Sequence, residues 1–253
     1  MKMHFLSGGR LRMRRSVYFP DAPREETIEL PVSCTLLKHP QGNVLFDTGC
    51  SPQAATDPEG RWGSLARAMA PIFTPEDTVV GQLPKAGLTA DDIDVVLCSH
   101  LHVDHCGCNE HFKRATIFCH AAEVAAAKSE TGVAQGYFPL EWDQPQGFEE
   151  FDGQRDVFRD GKVILLPVPG HTVGMTAALV GLDKSGEFLL ASDAVPMKEH
   201  LDTGFAPKNS WDKDKAVTAL EEIRRIGERG ATIIFGHDEP QWLSLKTGAA
   251  FYE

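Results

Sequence analysis

Apolar residues near the start of the chain fall into short β-rich runs at Met3–Leu6, Thr27–Leu37 and Val44–Phe46, separated by Gly, Pro and Asn. Runs of that length divided by turn residues predict strands joined in antiparallel hairpins, with the third ending at Asp47-Thr48-Gly49. From Pro52 to Thr74 the pattern loosens. Trp62, Leu65, Met69, Ile72 and Phe73 are apolar points of a helix or loop that covers the sheet or lines a pocket. Thr78 is placed to cap a short helix through Lys85, and Asp91-Asp92-Ile93-Asp94 leads into an apolar strand, Val95–Cys98. Further strands are expected at Ala115–Cys119, Val163–Leu166, Thr176–Val180, Phe188–Ala191 and Thr232–Phe235, with a helix at Ala121–Lys128 and an inserted loop from Ser129 to Gln154. Ser210 is expected to cap a helix in which Ala216, Leu220, Ile223 and Ile226 recur at helical spacing, and Gly230 stops it.

Two successive sets of strands and helices, with no Pro/Gly/Ser-rich linker between them, predict two sheets face to face with helices outside, in one domain spanning 1–253. A composition of 42% hydrophobic and 24% charged residues supports a buried core. The net charge of −11 repels polyanions, so no nucleic acid is expected as a partner. No run approaches the roughly 20 apolar residues of a membrane span, and Met1–Arg10 holds no signal-type apolar stretch, which together predict a cytoplasmic protein with no membrane partner. Cys34, Cys50, Cys98, Cys106, Cys108 and Cys119 fit that compartment as reduced, buried thiols. Cys106-Gly-Cys108 has neither the two-residue spacing nor the matching second pair of a structural zinc site.

Chemistry enters at His100-Leu101-His102-Val103-Asp104-His105, just after a buried strand. Residues two apart in extended chain point the same way, so His100 and His102 can reach one ion while Asp104 and His105, past the bend, turn toward another. Three short polar tips after apolar runs can converge on the same edge: Pro169-Gly170-His171-Thr172, Ser192-Asp193-Ala194 and Gly236-His237-Asp238. Alone, His171 or His237 reads equally well as a core or surface histidine; alongside the first run, both become candidate ligands. Asp47 is either a turn-forming residue or a carboxylate that orients a ligating histidine.

This pattern resembles the metallo-β-lactamase superfamily, whose His-x-His-x-Asp-His motif is matched by His100–His105 and whose later elements are met in order by His171, Asp193 and His237. Within it, the overall length, Asp193 and the terminal Gly-His-Asp most resemble the N-acyl-homoserine lactonases, the quorum-quenching branch. The resemblance implies an α/β (α+β) fold, the four-layer αββα sandwich of two mixed β-sheets with helices outside. It also implies that His100, His102 and His171 hold a first metal, that Asp104, His105 and His237 hold a second, and that Asp193 bridges them. Imidazole and carboxylate donors suit two Zn(2+) ions per chain, and iron, manganese or cobalt suit the same donors.

Two such cations sharing one solvent oxygen would generate hydroxide near neutral pH for attack on an acyl carbonyl, with Asp104 or Asp193 passing a proton to the departing alkoxide. The expected reaction is lactone or ester hydrolysis, most specifically of N-acyl-homoserine lactones. The expected partner is a small-molecule lactone or ester, with a homodimer left open. One position departs from the pattern: similar lactonases carry a tyrosine three residues after the bridging aspartate, and here that residue is Pro196, which offers no donor. His200 is a candidate replacement, against the plainer reading of a solvated loop histidine. Phe19, Trp62, Met69, Phe73, Tyr137, Phe138 and Trp142 are candidates for contacting an acyl chain or, more plainly, for core and cover.

Rival activities within the superfamily fit less well. A tRNA-end-processing nuclease is disfavoured by the acidic charge. A glyoxalase-II-type thioesterase would need a C-terminal extension beyond the segment that follows His237. A true β-lactamase usually lacks the bridging aspartate. A diiron redox scaffold usually replaces the second histidine of the run by glutamate, and a degenerate binding module should have lost ligands.

Overall fold

Period-two alternation sends successive side chains of a strand to opposite faces. In the computed structural model of the chain, which describes residues 1–253, those faces separate into distinct apolar layers. Strands β1 (Lys2–Arg14), β2 (Thr27–His39), β3 (Gly42–Phe46), β4 (Met69–Pro71), β5 (Val95–Leu97), β6 (Thr116–His120) and β7 (Glu149–Phe151) form a seven-stranded sheet ordered β4-β1-β2-β3-β5-β6-β7. Strands β8 (Arg155–Asp156), β9 (Val163–Pro167), β10 (Thr176–Leu182), β11 (Gly186–Ser192) and β12 (Thr232–Phe235) form a second sheet ordered β12-β11-β10-β9-β8. Both are mixed: β3 and β5 pair in parallel, as do β11 and β12, whereas β1–β2 and β10–β11 are antiparallel.

Adjacent residues fall into different layers. Leu37, Val44, Phe46, Leu97 and Phe118 of the first sheet meet Val163, Ala178, Val180, Phe188 and Leu190 of the second. Their neighbours Leu36, Leu45, Val96 and Ile117 face outward onto Val79, Leu83, Phe112 and Val124. On the far side of the second sheet, Ala177, Leu189 and Ala191 pack against Ala219, Leu220 and Ile223 of the helix Lys213–Glu228. The layers therefore run helices, sheet, sheet, helices, as expected. All six cysteines are buried and unpaired, and no helix is long and apolar enough to cross a membrane.

Several local expectations are corrected. Met3–Leu6 is only the start of a thirteen-residue strand. The Gly8-Gly9 pair reads as a turn but accommodates a register shift between Ser7 and Arg10, after which Arg10 and Arg12 pair with Glu29 on the solvent side. The helix expected from Thr78 to Lys85 is a single α-turn, Val79–Gln82, followed by a 3-10 turn containing Pro84. The Thr78 hydroxyl donates to Pro75 O (2.7 Å) rather than capping. The inserted loop contains β7, which extends the parallel ladder beyond β6. Ser210 does not cap the last long helix. Asp212 does, accepting from Asp214 N and Lys215 N at 3.1 Å, a charged cap nearer the first helical residue.

The candidate pocket aromatics divide. Trp62, Met69, Tyr137 and Trp142 are buried in the cores, whereas Phe19, Phe73 and Phe138 are only partly covered. One buried ion pair ties two segments of this cover together. Glu141, fully buried, accepts from Arg61 Nε (2.9 Å), Arg61 Nη2 (2.8 Å) and Trp62 Nε1 (2.7 Å). Replacing a buried, fully engaged carboxylate leaves donors short of an acceptor. Glu141→Gln is expected to cost about 1–2 kcal/mol, a fall in Tm of roughly 3–6 °C in a thermal melt.

Candidate metal centre

Strand direction gathers the polar tips. Asp47 follows β3 and Ser99-His100 follows the adjacent parallel β5; Asp193 follows β11 and His237 follows its parallel neighbour β12. His171 lies in the turn after β9, which runs in the same direction as β11 because both are antiparallel to β10. Side chains leaving the C-terminal ends of neighbouring parallel strands are close by construction. The helix Val103–Cys106 then turns Asp104 and His105 back over the same edge.

Close approach requires glycine at two places. Gly49, at φ 71°, lies against β1, where an added Cβ would stand 2.5 Å from Gly8 Cα. A Cβ on Gly236 would lie 2.6 Å from Asp193 Oδ1, so the residue before His237 leaves room for that carboxylate. Asp47 (φ 58°) and Ser192 (φ 47°) are two of the three non-glycine residues with positive φ, and both sit behind the site.

The seven residues of the sequence pattern come together in two sets. His102 Nδ1 lies 3.1 Å from His100 Nε2 and 3.1 Å from His171 Nε2. In the other set, Asp104 Oδ2 lies 3.6 Å from His105 Nε2 and 3.7 Å from His237 Nε2. Asp193 stands between them: Oδ2 is 3.4 Å from His171 Nε2, and Oδ1 is 3.5 Å from His105 Nε2 and 2.9 Å from His237 Nε2. Tetrahedral donors about 2.0–2.2 Å from a zinc ion are about 3.3–3.6 Å from one another, so these separations suit the edges of two coordination shells. The chemistry of the atoms agrees. His105 Nε2, His237 Nε2 and Asp193 Oδ1 are buried without a hydrogen-bond partner, which a cation would resolve. His100–His102–His171 and Asp104–His105–His237 could each hold one divalent ion, with Asp193 available to both.

The opposite edge of most of these rings is anchored. His105 Nδ1 donates to Asp47 Oδ2 (2.9 Å), His237 Nδ1 to Pro31 O (2.9 Å) and His102 Nε2 to Gln135 O (3.1 Å); His100 Nδ1 meets Ser99 Oγ at 3.0 Å. Each such bond selects the tautomer that leaves the inward nitrogen free. Burial, reinforced by the neighbouring His105, His102 and His171, holds His100 well below the usual histidine range, and burial takes His171 down to about 3. Both therefore stay neutral, as a metal ligand must. Burial alone would raise the Asp193 carboxyl, but His237 and His105 outweigh it and hold it well below the usual carboxylate range.

Asp47, read from sequence as a turn residue or an orienting carboxylate, here accepts the His105 proton. It also accepts from Ser99 N (2.7 Å), Ser99 Oγ (2.7 Å) and Ser192 Oγ (3.1 Å). Ser99 is not singled out by the sequence pattern, and Ser192 enters it only as part of a polar tip, although each immediately precedes a candidate ligand. Glu123 was missed as well. It is fully buried and accepts from Leu101 N (3.1 Å) and Gly174 N (2.9 Å), tying together the two loops that carry His102 and His171. In an Ala-rich helix nothing distinguishes it from a surface acid. His200 is not presented to solvent as a loop histidine: it is 1% exposed, stacks on Phe19 with centroids 5.0 Å apart, and its Nε2 donates to Tyr18 O (3.2 Å). Pro196 acts through its backbone, accepting from His237 N at 2.7 Å.

A sequence profile described as the metallo-beta-lactamase superfamily matches residues 27–237. The chain belongs to the metallo-β-lactamase superfamily. Among relatives in that superfamily, the N-acyl homoserine lactonase AttM of Azorhizobium caulinodans is 29% identical over 260 residues, covering 100% of this chain and 99% of its own. The N-acyl homoserine lactonase AiiB of Agrobacterium fabrum is 33% identical over 250 residues, covering 89% of this chain and 86% of its own. A solved N-acyl homoserine lactone hydrolase with the product N-hexanoyl-L-homoserine at its catalytic metal centre superposes with a TM-score of 0.89 at 27% identity, over 99% of this chain and 98% of that one.

Proposed function

We propose that the chain is a dinuclear-metal hydrolase that opens lactone rings, N-acyl-homoserine lactones among them, and so acts in quorum quenching on a small molecule in the cytoplasm. The observation that carries this reading is the pair of three-residue donor sets joined by one buried carboxylate, Asp193. Full-length similarity to proteins named as N-acyl homoserine lactonases supports the substrate class. The imidazole and carboxylate donors favour zinc, with iron, manganese or cobalt as substitutes. Two divalent cations bound there would acidify water and polarise an acyl carbonyl.

The protein's own groups do the rest. His100, His102 and His171 fix one position, Asp104, His105 and His237 the other, and Asp193 sets their separation. A cavity of about 270 Å³ opens beside His102 and His171, lined also by Tyr137, Thr172, Asn209 and Trp211, and offers the scissile ring a mixed aromatic and polar wall. Asp104 and Asp193, each on the edge shared with His237, are the carboxylates able to pass a proton to the leaving oxygen. The net charge of −11 argues against a phosphodiester polymer as substrate.

A hydrolysis panel on zinc-reconstituted protein tests the reading: acyl-homoserine lactones of several chain lengths, simple γ-lactones, aryl esters, a cephalosporin and bis-p-nitrophenyl phosphate. Lactones are expected to turn over fastest, with about two metals per chain by elemental analysis. Turnover of the phosphodiester alone would sink the lactonase reading.

A further inference from the structure

Polar groups around the candidate centre are mostly spent. The ring N–H groups of His102, His105 and His237 face protein acceptors, and the Ser99 and Ser192 hydroxyls serve Asp47. Asp104 and Asp193 as carboxylates only accept. Pro196 has no donor at all. On the His237 side, a substrate oxygen that gains negative charge therefore finds no hydrogen-bond donor among these groups.

Tyr18 stands there. It follows the 3-10 turn Arg15–Val17 at the end of β1, is 3% exposed, and lies with its ring between two histidines, 6.4 Å from His237 and 6.2 Å from His200 by centroids. Its ring packs among Leu30, Val32, Met69 and Met197, and its hydroxyl makes no hydrogen bond within the protein. A tyrosine hydroxyl that has no protein partner beside the candidate centre is available to a ligand.

The segment is also held in place from several directions. Tyr18 N donates to Arg15 O (3.0 Å), Lys208 N donates to Val17 O (3.1 Å), and the buried His200 donates to Tyr18 O. Phe19 stacks on the His200 imidazole and lines a cavity of about 480 Å³ together with Arg15 and Phe205. An ordinary phenol carries its proton at neutral pH, so the hydroxyl is a donor.

Resting on the lactonase reading, we propose that the Tyr18 hydroxyl donates a hydrogen bond to the leaving oxygen of the ester bond, on an edge where Pro196 supplies no donor, and that His200 positions Tyr18 by holding its carbonyl. No covalent bond forms to Tyr18. As the acyl C–O bond breaks, the bonding electron pair leaves with the ring oxygen. The phenol stabilises the growing charge by its hydrogen bond, and the proton that completes the alcohol comes through a carboxylate from the attacking water. Water and lactone are consumed and one hydroxy acid results.

The test uses leaving-group dependence, which a purely structural role would not produce. Metal-loaded wild type and Tyr18→Phe are compared on a γ-lactone, a simple alkyl ester and a p-nitrophenyl ester. An alkoxide leaving group needs the hydrogen bond, whereas p-nitrophenolate leaves without help. Tyr18→Phe is expected to lower kcat about tenfold on the lactone and alkyl ester and less than about twofold on the aryl ester, with metal content and Tm unchanged. His200→Ala is expected to follow the same leaving-group pattern and to add little in the Tyr18→Phe background. Equal losses on all three substrates, or undiminished lactone turnover by Tyr18→Phe, would overturn the Tyr18 role while leaving the lactonase reading intact. Failure of the wild type to open any lactone overturns that reading instead, and the alkyl and aryl esters then decide Tyr18 by the same comparison. An enzyme inert to all three substrates overturns both.

Discussion

Asp193→Ala is expected to abolish turnover, lowering kcat/KM on a lactone on the order of a thousandfold, and to leave about one metal per chain where the wild type holds about two. The expectation follows from position. Asp193 is the one side chain whose two oxygens face different donor sets, Oδ2 toward His171 and Oδ1 toward His105 and His237. Two dications held close together repel one another unless an anion lies between them, and the interior is too dry here to screen them, since Asp193 is 6% exposed and His237 1%. Without the carboxylate, the second set is reduced to Asp104, His105 and His237, and the two imidazoles lose the negative charge that faces their Nε2 atoms. No neighbour can substitute, because the adjoining residue is Gly236, whose lack of a side chain makes room for Asp193 in the first place. Elemental analysis of the purified variant and initial rates on the same lactone check both parts. Two retained metals with wild-type rates would contradict the assignment of Asp193 as the bridge.

Legibility in the sequence followed the range of the interactions concerned. The layers could be anticipated because they depend on period-two alternation, a local property: Leu36 and Leu37, or Val96 and Leu97, already carry the opposite faces in adjacent residues. The seven candidate donors were readable because four lie within the six residues His100–His105 and the other three occupy short polar tips after apolar strands. What escaped depends on contacts that are remote in the chain. Asp47 and His105 are fifty-eight residues apart, Glu123 and Gly174 fifty-one, and His200 and Tyr18 one hundred and eighty-two. No local pattern announces such pairs. In the chain, the nearest replacement for a tyrosine at the Pro196 position is His200, four residues on. The structure seats His200 one step further back, against the carbonyl of Tyr18, which reaches the His237 side from the opposite end of the chain. The Ser210 cap failed for a smaller reason: Asp212, two residues on, competes for the same amides with a full charge.

Asp47→Asn isolates the part that this remote bonding plays in metal binding. The substitution keeps the shape, and asparagine tolerates the left-handed backbone that Asp47 adopts at φ 58°. It does not keep the acceptors. The Asp47 carboxylate, 2% exposed, faces donors on both oxygens: Ser99 N on Oδ1, and Ser99 Oγ, Ser192 Oγ and His105 Nδ1 on Oδ2. An amide must turn its NH2 toward one of these sides, where it opposes another donor. If it points toward His105, that ring loses the bond that fixes its tautomer and orientation. If it points toward Ser99, the strand end carrying His100 is pushed away instead. The negative charge that makes His105 a better donor to a cation disappears in either case. The Asp104–His105–His237 position is therefore expected to lose affinity by up to about a hundredfold, whereas the His100–His102–His171 position, anchored through Gln135 O and Ser99, loses less. Titration with a chelator should then remove one metal per chain from Asp47→Asn well before the other, with activity following the first loss. Asp47→Ala differs in kind: it strands four buried donors at about 1–3 kcal/mol each and places an alanine at positive φ, so the protein is expected to unfold rather than to lose one metal. Parallel loss of both metals from folded Asp47→Asn, or chelator resistance equal to wild type, would show that Asp47 does not govern the His105 position.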